Sequence, residues 1–374
     1  MRRLLIVGYI AITAVLCIIS GACSSKSIHQ VTTADVATRL VFSTQPGQTV
    51  AGSDLSPQPT VLVKDAQGNT VTSFANPVTL SILTGSANDV VTLNGGILVT
   101  PVNGIVVFKG VVVNTSGTGY RLTATSGDLP PATSDPFDVI PAEASKIVFT
   151  SQPSDVIAGS IFPITPTVEV QDHFGNLVSS SSVAVTVSLE IDSHVDVNSG
   201  NNSISLSGTK TVNTVGGRAD FTNLSINLSG SIYRLRVTSS GLESDTSKSF
   251  DVMPGIPVKL AFGMLPNEAV ANSILQPNTT VWVVDTNGNI CDASNPPVSI
   301  TLSIKPGTGT SGATLSGTTT VSALLDGYNK GVAVFKDLSI NLPGSGYRLT
   351  ATGDGLVSAT SDAFDVAVSS GAGK

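Results

Sequence analysis

The sequence predicts an all-β protein made of three tandem antiparallel β-sandwiches, and three observations carry that prediction. One segment recurs, because residues 120–125 return letter for letter at 347–352 and in diverged form at 233–238. Short stretches alternate apolar and polar residues with a period of two, which is typical of half-buried strands. Charged residues make up 12% of the 374 positions and aromatic residues 5%. A composition rich in Gly, Ser, Thr and Val favours short strands joined by turns over helices.

Five landmarks recur with that segment and divide the chain. The Phe that opens each repeat and the Asp of a following turn recur after 107 and then 113 residues. An inner Phe, the Tyr and a closing Phe recur after 113 and then 114. Such constant offsets indicate one structural unit in three copies, each long enough to bury its own core. The landmarks are Phe42, Phe149 and Phe262; Asp65, Asp172 and Asp285; Phe108, Phe221 and Phe335; Tyr120, Tyr233 and Tyr347; and Phe137, Phe250 and Phe364. The predicted organisation is a signal segment at 1–22, a flexible tether at 23–37, repeat 1 at 38–140, repeat 2 at 145–252, repeat 3 at 256–367 and a tail at 368–374.

Proline and an Asp turn interrupt the first half of each repeat. The apolar strand around Phe42 is followed four residues later by Pro46, and the other repeats have Pro at the same place. Because proline donates no ladder hydrogen bond, this strand is expected to break or to lie at a sheet edge. In the next turn, Asp65 is expected to cap the backbone, and the pair Gly68-Asn69 is expected to supply left-handed dihedrals.

The Tyr strand comes late in each repeat. Tyr120, Leu122 and Ala124 are expected to face the core, whereas Arg121 and Thr123 face outward. A Tyr that enters a late strand after a Gly-containing bend resembles the tyrosine corner of immunoglobulin-like sandwiches, in which the hydroxyl bonds to nearby backbone. This Tyr is therefore expected to pack rather than to catalyse.

Taken together, these motifs resemble bacterial immunoglobulin-like repeats, distantly similar to those of invasin and intimin, over residues 38–367. The resemblance implies surface stalks, adhesins and extracellular scaffolds, and it is a poor guide to the ligand. It is carried by Leu40-Val41-Phe42 with Pro46, Asp65-Ala66-Gln67-Gly68-Asn69, Gly119-Tyr120-Arg121-Leu122-Thr123-Ala124 and Phe137-Asp138-Val139.

The N-terminus is predicted to be an export signal. Two arginines, an uncharged run at 4–19 and small residues before Cys23 form a basic head, an apolar body and a cleavage site. The arrangement resembles a bacterial lipoprotein signal, in which the Cys becomes lipidated and begins the mature chain. Ser20 stands where that family usually has Leu, so simple cleavage after Ala22 and an uncleaved anchor are the alternatives. In two-membrane bacteria, an Asp directly after the lipidated Cys retains lipoproteins at the inner membrane. Ser24 stands at that position here, which favours placement at the outer membrane.

Charge and cysteine content argue against several classes of protein. The net charge is −7, and without a cluster of Lys and Arg no nucleic-acid partner is expected. Apart from Cys17 in the apolar run and Cys23, the chain has Cys291 alone, so there is no disulfide framework. A catalytic thiol needs a His partner, and the histidines lie in the tether and in repeat 2. Cys291 is therefore expected to be a small buried or edge residue, and neither an enzyme activity nor a cofactor is predicted.

The Asp turn of repeat 3 has two possible interpretations, a calcium site and a plain capped turn. The turn from Asp285 to Asn289, with Asp292 nearby, carries oxygen ligands at alternate positions, which suits calcium. The equivalent turn of repeat 1 has Ala66 and Gln67 instead. The shared feature is the capped turn, so no metal is predicted.

Trp282 is the candidate contact residue. It occupies the slot of Leu62 and Glu169 and alternates with Val281 and Val283, so it is expected to point away from the core. An exposed Trp is a candidate contact for sugar or protein. The alternative is that its ring lies over a neighbouring strand or a domain junction.

These observations predict an exported, lipid-anchored protein of the cell envelope that acts without catalysis. Its partners would be the membrane, through lipid at Cys23, and a surface protein or polysaccharide. Adhesion or envelope scaffolding is the predicted role. A polysaccharide-binding lipoprotein is the alternative, and a spacer without a ligand is a third.

Overall fold

The computed structural model describes residues 36–83, 91–190, 203–267, 269–291, 297–323 and 330–368. All regular secondary structure in these ranges is β-strand, which confirms the all-β prediction. The signal segment and Cys23 lie outside the described residues, as do residues 369–374 of the predicted tail. In the part of the chain described, no helix has the length and apolar character needed to cross a bilayer.

The strands are short, as the frequent turn residues predict. Repeat 1 contains β1 (Arg39–Thr44), β2 (Thr49–Val50), β3 (Thr60–Lys64), β4 (Val78–Ile82), β5 (Leu93–Asn94), β6 (Leu98–Val99), β7 (Ile105–Val107), β8 (Val112–Val113), β9 (Gly117–Tyr120), β10 (Leu122–Thr125), β11 (Ala132–Thr133) and β12 (Phe137–Ile140). Repeat 2 contains β13 (Ala144–Ser151), β14 (Val156–Ile157), β15 (Thr167–Asp172), β16 (Ala184–Glu190), β17 (Leu206–Ser207), β18 (Thr211–Asn213), β19 (Arg218–Asp220), β20 (Ser225–Ile226), β21 (Gly230–Thr238), β22 (Asp245–Thr246) and β23 (Phe250–Met253). Repeat 3 contains β24 (Lys259–Phe262), β25 (Ala269–Val270), β26 (Thr279–Val284), β27 (Ser299–Ile304), β28 (Leu315–Ser316), β29 (Thr320–Ser322), β30 (Val332–Phe335), β31 (Ser339–Ile340), β32 (Gly344–Tyr347), β33 (Leu349–Gly353), β34 (Ala359–Thr360) and β35 (Phe364–Ala367).

Each repeat packs two layers of strands. One layer has the order β1-β3-β7 in repeat 1, β13-β15-β19 in repeat 2 and β24-β26-β30 in repeat 3. The second layer is continuous in repeat 2, where β14-β23-β21-β16-β18 share one sheet through the long Tyr strand β21. In repeats 1 and 3 the Tyr strand is divided in two, as β9 and β10 and as β32 and β33, so that layer consists of two sheets. The result is an immunoglobulin-like β-sandwich.

The opening strand changes layer at its proline. Strand β1 is at the edge of its sheet and ends at Thr44, before Pro46. The chain then enters the second layer as β2, whose Thr49 pairs in parallel with Val139 of the closing strand. The predicted break at an edge is confirmed, since proline cannot continue the ladder.

The core is made by the alternating positions. Val61 and Val63 of β3 are fully buried, as are Tyr120, Leu122 and Ala124 of the Tyr strand. Burial of such side chains stabilises the sandwich by roughly 25 cal/mol for each Å² of apolar surface removed from water. The buried apolar residues form three separate clusters, at 40–139, 147–252 and 260–366.

The tyrosine corner is present in all three repeats. The hydroxyl of Tyr233 donates to Leu228 O at 3.0 Å, and that of Tyr347 donates to Leu342 O at 2.8 Å. Tyr120 donates to Thr115 O at 3.3 Å. Burial raises the pKa of Tyr233 to about 12, so its hydroxyl keeps its proton and remains a donor. Each Tyr thereby fixes the bend that precedes its own strand.

Candidate functional site at the repeat junctions

The Asp turn of repeat 2 ties the linker to the sandwich. Asp172 Oδ1 accepts hydrogen bonds from Phe174 N and Asn176 N, both at 2.9 Å. Its Oδ2 accepts from Asn176 Nδ2 at 2.8 Å and from Ala142 N at 2.9 Å. Ala142 belongs to the linker between repeats 1 and 2. One buried carboxylate therefore holds the turn and the linker together.

Repeat 3 repeats this arrangement atom for atom. Asp285 Oδ1 accepts from Asn287 N at 2.8 Å and Asn289 N at 2.9 Å. Its Oδ2 accepts from Asn289 Nδ2 at 2.9 Å and from Gly255 N of the second linker at 2.8 Å. The recurrence shows that the linker contact is a property of the repeat.

An asparagine side chain crosses each junction. Asn176 Nδ2 donates to Asn114 O at 2.8 Å, and its Oδ1 accepts from Ser116 N at 2.8 Å. Asn289 makes the same pair of bonds to Asn227 O at 3.0 Å and Ser229 N at 2.8 Å. The side-chain amide thus pairs with backbone two residues apart, as a peptide group of an adjacent strand would.

We call each such unit a clasp. Its turn is 172–176 or 285–289, and its acceptor bend is 114–116 or 227–229 in the preceding repeat. The acceptor bends are also the bends fixed by the tyrosine corners. The Asp turn and the Tyr strand, which both recur in all three repeats, therefore meet at the junctions.

A glycine beside each acceptor bend allows the close approach. Gly52 N donates to Val113 O at 3.0 Å, and the ring of Phe174 packs directly on Gly52. Gly159 is the equivalent in repeat 2, where an added Cβ would lie 2.7 Å from Asn287 Nδ2. Both glycines have φ of +79°, a conformation that L side chains rarely adopt.

The hydrogen bonds keep the Asp172 carboxylate ionised. Burial of Asp172 by itself would raise its pKa, but the hydrogen bonds from Asn176, Ala142 and Phe174 outweigh that effect and leave the pKa below its ordinary value of 3.8. The ionised form accepts four N–H donors without needing a cation nearby. At neutral pH Asp172 therefore accepts these bonds as an ionised carboxylate.

The sequence prediction for this turn is half wrong. Gly68, Gly175 and Gly288 do adopt φ of 89° to 90°. The following asparagines do not have positive φ, since among the described residues other than Gly only Asn103, Ile232 and Asn272 do. Asn is required for its side chain, not for its backbone. The signal that could have revealed this is the same Asn four residues after each Asp.

Repeat 1 carries the same turn without a described repeat in front of it. Asn69 N donates to Asp65 Oδ1 at 2.8 Å, and Asn69 Nδ2 donates to Asp65 Oδ2 at 3.1 Å. Asn69 is exposed, whereas Asn176 and Asn289 are buried. Asn69 thus offers an internal comparison for the two occupied clasps.

The geometry of Asp285 suits the backbone cap rather than calcium. Each of its carboxylate oxygens already accepts two N–H donors, and a cation would have to displace them. Within the described ranges, no three His, Cys, Asp or Glu side chains form a group able to hold a metal ion. Asp292, the further ligand considered from sequence, lies outside those ranges.

Cys291 is part of the second junction. It is buried, and its Sγ lies 3.2 Å from Gly255 O of the linker. Val71 and Val178 fill the same buried position in repeats 1 and 2. The expectation of a small buried residue is confirmed, and its place beneath the linker is what the sequence did not predict.

Trp282 lies on the outer face of the sheet β24-β26-β30. It is half-buried, between the fully buried Val281 and Val283. Its indole covers the backbone of Gly263 in the adjoining segment, where an added Cβ would meet the ring. The outward direction is confirmed, and the ring also covers the backbone that directly follows β24. Whether it contacts a ligand remains a prediction.

Comparison with known proteins shows similarity of fold alone. No family model matches the chain, and no curated protein matches it in sequence. Among solved structures, the Escherichia coli adhesin FdeC is 16% identical, with 90% of this chain and 98% of that chain covered and a TM-score of 0.32. Invasin, a bacterial integrin-binding protein, is 15% identical over 88% of this chain and 60% of its own, with a TM-score of 0.30. A β-glycosidase from Bacteroides vulgatus is 14% identical over 57% and 25%, with a TM-score of 0.25. These likenesses carry no information about function, because a shared fold does not imply a shared function.

Proposed function

We propose that this protein is a lipid-anchored cell-envelope protein that acts as an adhesion or structural stalk module without catalysis. The supporting observation is the clasp, which recurs with the same atoms at both junctions. A linker alone would leave successive repeats free to swivel. Clasped repeats instead hold a binding surface at a fixed distance and direction from an anchored end.

The adhesion role is tested on the full chain displayed on a bacterial surface. Binding to host cells and to immobilised matrix proteins is measured under flow, with the double variant Asn176→Ala/Asn289→Ala compared with wild type. We expect wild-type cells to be retained and the double variant to lose at least half of that retention, because the stalk bends. Asn69→Ala is the matched control, since its side chain crosses no described junction. If none of the surfaces retains wild-type cells, adhesion is excluded as the function and the spacer role is left.

The anchor is tested separately, because it depends on Cys23 and not on the sandwiches. Cells grown with radiolabelled palmitate are expected to label the wild-type protein and not a Cys23→Ala variant. Labelled protein is then expected in the outer-membrane fraction. Secretion of unlabelled wild type into the medium would instead favour simple signal cleavage.

Polysaccharide binding is the second candidate, and Trp282 favours it. A half-buried indole on the open face of a sheet offers an apolar surface on which a sugar ring can stack. On a glycan array, defined sugar binding that is lost in Trp282→Ala would support this role. Binding to cells or matrix protein without any glycan signal would support adhesion.

A further inference from the structure

Repeat 3 has an acceptor bend of its own at its far end. Asn341 follows Ile340 as Asn227 follows Ile226, so residues 341–343 correspond to the acceptor bend 227–229. The tyrosine corner confirms the correspondence, because Tyr347 bonds to Leu342 O as Tyr233 bonds to Leu228 O. The far end of repeat 3 can therefore be compared with the two ends that receive a clasp.

The first difference is a missing donor. Ser116 and Ser229 each donate a backbone N–H to the clasp asparagine, at 2.8 Å in both junctions. Pro343 occupies that position in repeat 3 and has no N–H. A clasp asparagine placed there would have its Oδ1 against the proline ring, and an unpaired buried oxygen costs about 1–3 kcal/mol.

The second difference is that repeat 3 has a residue with a side chain at the position where both junctions have glycine. Asn272 N donates to Ile340 O at 2.8 Å, just as Gly159 N donates to Ile226 O at 2.7 Å. Asn272 therefore occupies the glycine position, with φ of 62°. At Gly159 even a bare Cβ would meet Asn287. A whole Asn side chain there takes up the space that the side chain of the turn's third residue, Phe174 or Asn287, fills in the two junctions.

The far bend of repeat 3 is also covered by a segment of its own repeat. Thr310 Oγ1 donates to Pro343 O at 2.5 Å. Gly309 packs on the ring of Tyr347. Thr314 N donates to Asn341 Oδ1 at 2.8 Å, a bond that repeat 2 also makes from Ser205 N to Asn227 Oδ1 at 2.7 Å. The glycine-rich segment 305–313 thus lies against the bend from within the same repeat.

We propose that Pro343 and Asn272 are specificity-determining residues that close the far face of repeat 3 to clasp turns. Each turn of the type Asp-x-x-Gly-Asn docks only on a bend with a backbone N–H at its third position and a glycine beside it. The exposed turn 65–69 of one molecule therefore finds no matching bend on the far face of a second copy, and copies do not stack end to end. This inference goes beyond the proposed function and does not depend on any ligand.

The test moves the repeat 3 residues into a working junction. The full chain carrying Gly159→Asn/Ser229→Pro is compared with wild type by hydrogen exchange and mass spectrometry. We expect the amides of the linker 254–258 and the turn 285–289 to exchange at least ten-fold faster, while the cores of repeats 2 and 3 keep their protection. Ser229→Ala retains the backbone N–H and is the matched control, expected to exchange as wild type does.

Two outcomes would overturn the proposal. One is unchanged exchange at the junction in a folded double variant. The other is end-to-end association of wild type in sedimentation velocity that is lost in Asn69→Ala, because this would show that the far face accepts a clasp turn. If the proline prevents folding, Gly159→Asn alone provides the test, since Asn272 shows that Asn is compatible with positive φ at this position. The single variant is expected to loosen the same amides.

Discussion

Asn176, Asn289 and Asn69 occupy the same turn position but differ in what faces them. The first two are buried against the bend of a preceding repeat, whereas Asn69 is exposed. All three bond to the Asp of their own turn. The difference between the buried and exposed copies therefore isolates the energy of the junction from that of the turn.

Replacing Asn289 with Ala is expected to cost more than replacing Asn69 with Ala. Asn289→Ala leaves Asn227 O and Ser229 N without their partner, which costs about 1–3 kcal/mol. Asn69→Ala loses exposed bonds, and we expect at most about 1 kcal/mol. Native-state hydrogen exchange gives the free energy of opening for each repeat separately. Equal losses in the two variants would mean that the clasp contributes nothing beyond its turn.

The lowered pKa of Asp172 predicts that acid reduces the stability of the protein. The folded-state pKa of Asp172 lies below the ordinary value of 3.8, so the native state favours the ionised form. Its stabilising contribution is complete above that value and is lost as the pH falls below about 3.8 and through the lower folded pKa. Urea unfolding of wild type and Asp172→Asn is measured between neutral pH and the acid range. We expect a smaller acid-dependent loss in the variant, whose side chain does not titrate, and parallel profiles would contradict this role.

The tyrosine corner and the clasp share one bend. The Tyr233 hydroxyl holds Leu228 O at 3.0 Å, between the residues Asn227 and Ser229 that receive Asn289. A corner that stabilises one sandwich therefore also sets the position of the next. Packing within a repeat and docking between repeats are linked through three residues.

Tyr233→Phe tests that link. We expect a loss of about 0.5–1.5 kcal/mol in repeat 2, from the hydroxyl bond alone. We also expect faster exchange in the turn 285–289 of repeat 3, because its acceptor bend is less well fixed. Tyr347→Phe is the control, since the bend that Tyr347 holds receives no turn from a described repeat. If only repeat 2 responds to Tyr233→Phe, the bend does not couple the two repeats.

The elements could be predicted from sequence because their signals are local. Alternation along β3 and β10 places Val61, Val63 and Leu122 in the core without reference to any distant residue. The clasp joins residues 62 positions apart, and one partner is plain backbone, which leaves no mark in the sequence. For Trp282 only part of the environment could be predicted. The alternation along β26 predicts that its side chain points outward, but it does not reveal that the backbone of Gly263 lies beneath the ring.

Within the described ranges, the three cores are separate from one another and the clasp residues belong to none of them. No residue of one cluster belongs to another within the described ranges. Interdomain contacts of this polar kind ordinarily permit relative motion unless specific bonds oppose it. The two clasps supply such bonds, so the shape of the molecule should depend on a few atoms while its folding does not.

The double variant Asn176→Ala/Asn289→Ala separates shape from folding. We expect its circular dichroism to match wild type, because every core and every tyrosine corner is retained. Its small-angle X-ray scattering is expected to show a broader distribution of distances, since each linker can then swivel. The two junctions share no residue, so each single variant should contribute part of the broadening independently. Scattering identical to wild type would mean that the repeats are held in place without the asparagine bonds, by the linkers and their bonds to Asp172 and Asp285.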